Sequence, residues 1–403
     1  MASKAVVVSS TLRVRPSSSV PSIGVRSADW ESRANSDGCF LSLVMARRVP
    51  ACGTTRHHRS LFMFLAESYL HTLDPYVIQL TDGGFGIRWY GLAYVAGFLI
   101  AWLLIKWLAN TGRSVVPPQK VADLMIYAII GVLVGGRLGY AAFYDPSLFT
   151  DAARDMDGRV VPPWWALLAI NQGGMASHGG MIGVLIAMLI FMIRNKLVPI
   201  IHAADLIAFV APPGLFLGRM ANFINGELWG HPVPDQENPA WWSVKYPEEI
   251  YLGETNLEQL RGVVPGDQTF LPTVVDSLRA GDPVVMEVVV PQLTAYYPSQ
   301  IFQALADGPI LFLILIAAWW APKKGGVLTG TFLIAYGILR ILTEIFRQPD
   351  EGVSLLMGLS RGQFLSVIMI LAGILFVLFA SKSKGPKLGG LGCPPTTTQP
   401  STS

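Results

Sequence analysis

Gly214-Leu215-Phe216-Leu217-Gly218-Arg219-Met220-Ala221-Asn222-Phe223-Ile224-Asn225-Gly226-Glu227-Leu228-Trp229-Gly230 closes an apolar run that begins near Ile200. The run is long enough to cross a bilayer, which takes about 20 residues. Its end places Arg219, Asn222, Asn225 and Glu227 where a membrane helix meets the lipid headgroups. A charge in a spanning segment costs about 2.5 to 3.5 kcal/mol even on lenient insertion scales, so it usually has a partner or a task. Arg219 and Asn222 are three apart and share one helix face, and Gly218, Gly226 and Gly230 leave room for another backbone or a ligand. A single arginine here would read as a side chain snorkelling to the interface. Four polar residues and three glycines between 218 and 230 read as a site.

The whole chain has a membrane composition. Of its 403 residues 52% are hydrophobic and 14% charged, with a mean hydropathy of +0.45, where a soluble chain carries nearer ~25% charge. The net charge of +3 says little beside the distribution of basic residues. Cys39, Cys52 and Cys393 all lie in the tails, so neither a disulfide framework nor a thiol nucleophile in the apolar region is expected. His57, His58, His71, His178, His202 and His231 form no HExxH or Cys/His cluster, which argues against a metal site. Nothing points to a nucleic-acid partner.

Residues 1–62 hold nine Lys/Arg against three Asp/Glu without periodicity and are expected to be disordered. They read as a transit-like leader or, preferably, as a translation start placed too early, with Met63 the functional start. Residues 63–88, with turn signals at Asp74-Pro75 and Asp82-Gly83-Gly84, read as an amphipathic interfacial segment along the membrane surface. Seven apolar segments follow, at about 89–109, 121–143, 175–194, 200–223, 300–320, 326–346 and 362–381. They divide the chain into four spans and motifs (89–230), a head insertion (231–299) and three spans (300–381). The insertion, with a β-prone run from Pro283 to Pro291, is expected to form a small mixed cap. The tail from Lys382 to Ser403 is expected to be disordered by composition.

Lys106, Arg113 and Lys120, then Arg194 and Lys196, then Lys323 and Lys324, then Lys382, Lys384 and Lys387 follow the odd-numbered spans. Residues 231–299, after the fourth, hold ten Asp/Glu against three Lys/Arg. The positive-inside rule therefore places the N-terminus outside, the C-terminus in the cytoplasm and the stretch ending at Gly230 on the outer side.

Tyr336, Arg340 and Glu344 are spaced i, i+4, i+8 and line one helix face, with Arg347 about a turn beyond. An Arg340 to Glu344 pair would cancel charge in lipid but leaves Tyr336, Arg347 and Pro349-Asp350 unexplained. His178 lies among Gly173, Gly174, Gly179 and Gly180 at the start of the third span, where the glycines free space for a ligand. Arg137 and Tyr140 end the second span, and Arg88-Trp89-Tyr90-Gly91 opens the first, with Trp89 an interface anchor. Several guanidiniums converging in the outer half of the membrane suit a lipid phosphate, which arginine grips bidentately.

These strings resemble the prolipoprotein diacylglyceryl transferases of bacterial inner membranes from about Arg88 to Ala380. The resemblance rests on Gly218-Arg219-x-x-Asn222-Phe223-x-Asn225-Gly226-Glu227-x-x-Gly230, on His178-Gly179-Gly180 and on Tyr336-x-x-x-Arg340-x-x-x-Glu344-x-x-Arg347-x-Pro349-Asp350. It implies an all-helical polytopic fold of seven spans with a periplasmic head and no metal or organic cofactor. It also implies transfer of the diacylglyceryl group of phosphatidylglycerol to the lipobox cysteine of prolipoprotein signal peptides, within the lipid bilayer. The important residues it implies match Tyr90, His178, Arg219, Asn222, Gly230, Tyr336 and Arg340, supported by Glu227 and Glu344. Phe302-Gln303 and Arg361 depart from the family pattern, and the segment between Gly230 and Tyr336 is longer than usual.

For such a reaction a thiol of ordinary pKa about 8.5 needs a base, and His178 is the histidine placed to serve. Arg219 and Arg340 would hold the departing phosphate. Asn222 and Tyr336 would orient the headgroup, Glu227 and Glu344 would fix the guanidiniums, and Arg137, Tyr140, Tyr90, Gly230 and Arg347 would complete the phosphatidylglycerol site. Three openings remain: an arginine-bound water or the phosphate itself takes the proton and His178 only positions, the same residues serve a transporter or flippase for an anionic solute, or they serve a lipid-binding scaffold. Against transport, no internal repeat is visible.

Overall fold

All seven apolar segments are helices in the computed structural model, which describes residues 68–79, 86–154, 158–170, 173–253, 255–264, 269–348 and 359–392. The first four spans are α1 (Trp89–Asn110), α2 (Val121–Phe143), α3 (Ser177–Arg194) and α4 (His202–Ile224). Two short helices of the insertion follow, α5 (Phe270–Ala280) and α6 (Pro283–Val289). The fifth span is α7 (Ser299–Leu305), a π-helix (Ala306–Ile310) and α8 (Leu311–Ala318), and the last two are α9 (Val327–Glu344) and α10 (Arg361–Lys382). Every span is long and apolar enough to cross a bilayer. Leu99, Leu103, Ile126, Ile130, Leu375 and Phe379 are exposed on the outer surface of the bundle. Lipid, not water, is the solvent that tolerates such a surface, and the chain is a multi-pass membrane protein.

Small residues set the closest approaches. A Cβ on Gly131 of α2 would stand 2.6 Å from the Gly183 carbonyl oxygen of α3, and one on Gly139 would stand 2.7 Å from the Gly179 Cα. Small residues four apart let two helix backbones meet where lipid offers no hydrophobic drive. Gly179, read in sequence as space for a ligand, is space for a helix. Elsewhere Asp205 on α4, 4% exposed, accepts from the Gly326 amide at 2.7 Å and from the Thr329 amide and hydroxyl at 2.8 Å. It thus caps α9 from a neighbouring helix, satisfying donors that a helix start leaves open.

The segment read as 63–88 contains short strands where it is described. β1 (Tyr69–Leu70) pairs in parallel with β6 (Val244–Lys245), which pairs antiparallel with β7 (Ala295–Tyr296), while β2 (Tyr76–Gln79) and β3 (Gly86–Arg88) form their own antiparallel pair. β4 (Ala152–Arg154) and β5 (Val160–Trp165) make a hairpin after α2. The sheet edge at β6 takes the first described residues as a strand because its backbone groups need partners. Below it, Leu260, Val274, Val275, Leu278, Val285 and Val289 form a small buried core of the insertion.

Two further expectations change. The run Pro283 to Pro291 begins as a helix, not a strand: the Asp282 carboxylate accepts from the Val284 and Val285 amides and Pro283 takes the first helical position. A good cap and a preset φ outweigh the β preference of its valines. The tail is ordered as far as it is described. β8 (Lys323–Lys324) pairs with β9 (Lys387–Leu388), the Leu391 amide donates to Trp319 O at 3.0 Å and the Trp319 indole donates to Leu388 O at 3.1 Å. Residues 1–62 with Met63, Pro349-Asp350, the three cysteines and residues 393–403 lie outside the described residues.

His71 fastens the head to the bundle. It is 0% exposed, and its Nε2 donates to Phe223 O on α4 at 2.7 Å, while Nδ1 has no partner among the described residues. Burial pulls the imidazole below its ordinary value of 6.5, Glu248 pulls it back up, and Arg279 pushes it down again. The folded state therefore holds fewer protons on this ring than the unfolded state. Its contribution is intact above about pH 6.5 and is lost as pH falls from there through the lowered folded value. The His71 and Tyr69 amides, which donate to Lys245 O and Ser243 O, are expected to lose exchange protection between pH 7 and pH 5, and to lose much less in His71→Gln. Equal losses in the two proteins would dismiss the imidazole as the cause.

Candidate active site

Adjacent spans run in opposite directions, so the start of each odd span and the end of each even one share one end of the bundle. Tyr90, Arg137, His178, Arg219, Arg340 and Glu344 all occupy that end. The structure divides them into two assemblies.

The first is built on α4, α9 and the π-helix. Gly308 lets the π-helix press on α4, since a Cβ there would stand 2.6 Å from the Phe216 Cβ. That contact, one helical turn before Arg219, brings Asp307 level with the guanidinium. The Arg219 Nε lies 3.5 Å from Asp307 Oδ2, with Arg219 18% and Asp307 0% exposed. This is a close ion pair but not an aligned hydrogen bond, and neither carboxylate oxygen has a geometrically good donor among the described residues. On α9 Arg340 lies 2.9 Å from Glu344 Oε2, each side chain 11% exposed. Both guanidiniums act on the Asp307 carboxylate, and the Tyr336 phenol is in hydrogen-bonding reach of Arg219. Arg347 acts on Arg340 from just beyond the end of α9.

The Tyr90 hydroxyl at the start of α1 sits between the Asn222 side-chain oxygen and Glu227 Oε2, 3.0 Å from the latter. The Ser360 hydroxyl at the N-cap of α10 donates to Glu344 Oε1 at 3.2 Å. Beside Arg219 the packing is open: a Cβ on Gly218 would meet nothing within 4 Å. Two cations, a phenol and an uncovered helix surface at Gly218, all at one end of the bundle, can receive an anionic lipid head.

The expectation that Glu227 and Glu344 fix the two guanidiniums is half met. Glu344 holds Arg340, but Glu227 faces Tyr90, and the carboxylate on Arg219 is Asp307. Sequence reading passed over Asp307, although the insertion cost that singled out Arg219 applies equally to an acid inside the fifth span. It gave Ser299 and Gln300 no role. The Ser299 hydroxyl donates to Leu228 O at 2.9 Å and the Gln300 amide to Glu227 O at 2.6 Å. They hold a turn in which Gly226 has φ +63° and Leu228 φ +62°, a conformation a leucine adopts only under outside constraint. The turn ends where Gly230 bridges Arg347, with the His231 amide donating to Phe346 O at 3.0 Å. Gly230 thereby joins the end of α4 to the end of α9.

Arg137, Tyr140 and His178 form the second assembly. Arg137 is 5% exposed. Its Nε donates to Leu167 O at 2.8 Å, one terminal nitrogen to Gly174 O at 3.0 Å and to Gly173 O, the other to Ala169 O at 3.3 Å and to Ala166 O. A guanidinium so occupied has no donor left for a lipid phosphate. It organises the loop that leads into α3, and Tyr140, stacked on Tyr144 at 5.6 Å, packs beside Gly174 in the same loop. His178, in the first turn of α3, is exposed and has no hydrogen-bond or ion-pair partner among the described residues.

Residues 75–379 match a family model described as prolipoprotein diacylglyceryl transferase. Curated relatives named phosphatidylglycerol–prolipoprotein diacylglyceryl transferase are similar along nearly their whole length. One in Bdellovibrio bacteriovorus is 38% identical over 350 residues, covering 80% of this chain and 96% of the relative. One in Rhodospirillum centenum is 38% identical over 308 residues, 75% of this chain and 90% of the relative. One in Photorhabdus laumondii is 36% identical over 331 residues, 80% of this chain and 99% of the relative.

Proposed function

The chain belongs to the prolipoprotein diacylglyceryl transferase family, and on that premise we propose that it transfers the diacylglyceryl group of phosphatidylglycerol to the lipobox cysteine thiol of prolipoproteins, the first step of lipoprotein maturation. The observation that carries this reading is the pair of guanidiniums, Arg219 and Arg340, gathered with Tyr336 around one buried carboxylate beside open space at the end of α4. In the step itself the cysteine sulfur forms a bond to the terminal diacylglyceryl carbon. The bond from that carbon to the ester oxygen breaks, and its electron pair leaves on glycerol phosphate.

Charge grows on the departing phosphate as the carbon–oxygen bond lengthens, and fixed guanidiniums in water-poor surroundings stabilise it without reorganising. Asn222 and Glu227, set by Tyr90, orient the headgroup. The thiol proton passes to His178, whose exposed side chain is open to an incoming peptide. We place the site toward the periplasmic face of a bacterial inner membrane, with the C-terminus in the cytoplasm, because the basic loops lie at the opposite end of the bundle.

The test is to incubate purified protein with phosphatidylglycerol and a lipobox peptide and weigh the peptide, with a family member of known activity as control. A mass gain of one diacylglyceryl group is expected, and no gain would dispose of the reading. His178→Asn is expected to lower the rate about a hundredfold, the usual size of a general-base contribution. Full activity in that variant would hand the proton to the phosphate and leave His178 without a chemical role.

A further inference from the structure

A buried acid is an odd companion for two arginines whose task is to hold an anion. Asp307 is fully buried, it is 3.5 Å from Arg219, and it lies within the field of Arg340. Its placement is built in. The backbone widens to a π-helix at Ala306–Ile310, a feature that recurs at functional sites, and Gly308 removes the side chain that would hold the π-helix away from Phe216. Neither Asp307 oxygen has a well-aligned donor among the described residues, so those residues do not consume the carboxylate as they do Asp205. Any phosphate gripped by Arg219 and Arg340 therefore shares its cations with the Asp307 carboxylate and, while that acid is ionised against Arg219, is repelled by it in a poorly screened interior.

That repulsion scales with ligand charge. A phosphodiester carries one negative charge; a phosphomonoester, whose second ionisation lies near pH 6, carries about two at neutral pH. On the transferase reading above, the substrate is a phosphodiester and the product, glycerol phosphate, a phosphomonoester. We propose that Asp307 makes the arginine pair favour a phosphodiester monoanion over a phosphomonoester dianion, so that the site admits the lipid head and expels the product. Without it two guanidiniums would hold the dianion the more tightly and the site would fill with product. Asp307 acts here through charge, not by exchanging a proton with the substrate.

The experiment is binding calorimetry on the full chain in detergent with two probes of nearly equal size, glycerol phosphate and its monomethyl phosphodiester, at about pH 7.5. Wild type is expected to bind the diester more tightly. Asp307→Asn is expected to tighten glycerol phosphate about tenfold or more and the diester distinctly less, and to turn glycerol phosphate into a stronger inhibitor of transfer. Asp307→Glu, which keeps the charge, is expected to keep the wild-type preference. Should Asp307→Asn fail to fold, the wild-type protein still decides: glycerol phosphate must bind more tightly at pH 5.5, where it is mostly a monoanion, while the diester changes little. Equal shifts for both probes, weakening of both, or a wild type that prefers the dianion would each overturn the proposal. The binding readout does not depend on turnover. A chain that discriminates as expected yet transfers no lipid overturns the transferase reading alone, and one that transfers lipid without discriminating overturns the role of Asp307 alone.

Discussion

Arg219→Lys is expected to lower kcat/KM for diacylglyceryl transfer by roughly a hundredfold or more while the protein still folds. Lysine keeps the positive charge but presents a single compact ammonium, and it cannot face Asp307 and a phosphate at once as a planar guanidinium can. Removal of one fixed donor from a developing anion typically costs about a hundred- to a thousandfold. Arg219→Ala adds a second effect, because it strands the 0%-exposed Asp307 carboxylate. Breaking a buried pair on one side costs about 3–5 kcal/mol. The double variant Arg219→Ala/Asp307→Asn is therefore expected to regain most of the lost thermal stability and none of the activity. Transfer within threefold of wild type in Arg219→Lys, or activity restored in the double variant, would reduce Arg219 to a structural ion pair.

How much of this was readable from the residues differs by scale. The spans were, because a bilayer demands about 20 apolar residues whatever the packing, and each of the seven helices ends within two residues of the segment read. Arg219, Tyr336, Arg340 and Glu344 were also visible, since a polar group inside an apolar run stands out by its cost. Who partners whom was not. Arg137 looked like a phosphate ligand, but its donors go to backbone carbonyls about 30 residues downstream, and a carbonyl leaves no mark in a sequence. Asp307 drew no notice because it is one acid inside a span read by its apolar content, and the π-helix that aims it at Arg219 leaves no pattern in the sequence. The docked tail was missed because Leu388 and Leu391 hold to Trp319 by backbone groups that composition does not record.

The joint between the two arginine-bearing helices gives the other large effect. Gly230 is needed for space: a Cβ there would stand 2.6 Å from Phe346 O and press on the Tyr297 carbonyl oxygen as well. Neither oxygen belongs to a flexible side chain, so the backbone segments of this joint must part. The parting loosens the Gly230 to Arg347 bridge that ties the end of the Arg219 helix to the end of the Arg340 helix. A misplacement of about 1 Å between groups that grip one phosphate can cost about a hundredfold in rate. Gly230→Ala is therefore expected to lower transfer about a hundredfold or more with the helical content unchanged. Gly214→Ala, on the same helix α4 with nothing within 4 Å of its built Cβ, is expected to keep activity and to gain up to about 1 kcal/mol of helix stability. Circular dichroism, thermal melting and the transfer assay on the two variants decide the matter, since a merely crowded helix would penalise both alike and a joint between two phosphate-gripping elements penalises only one.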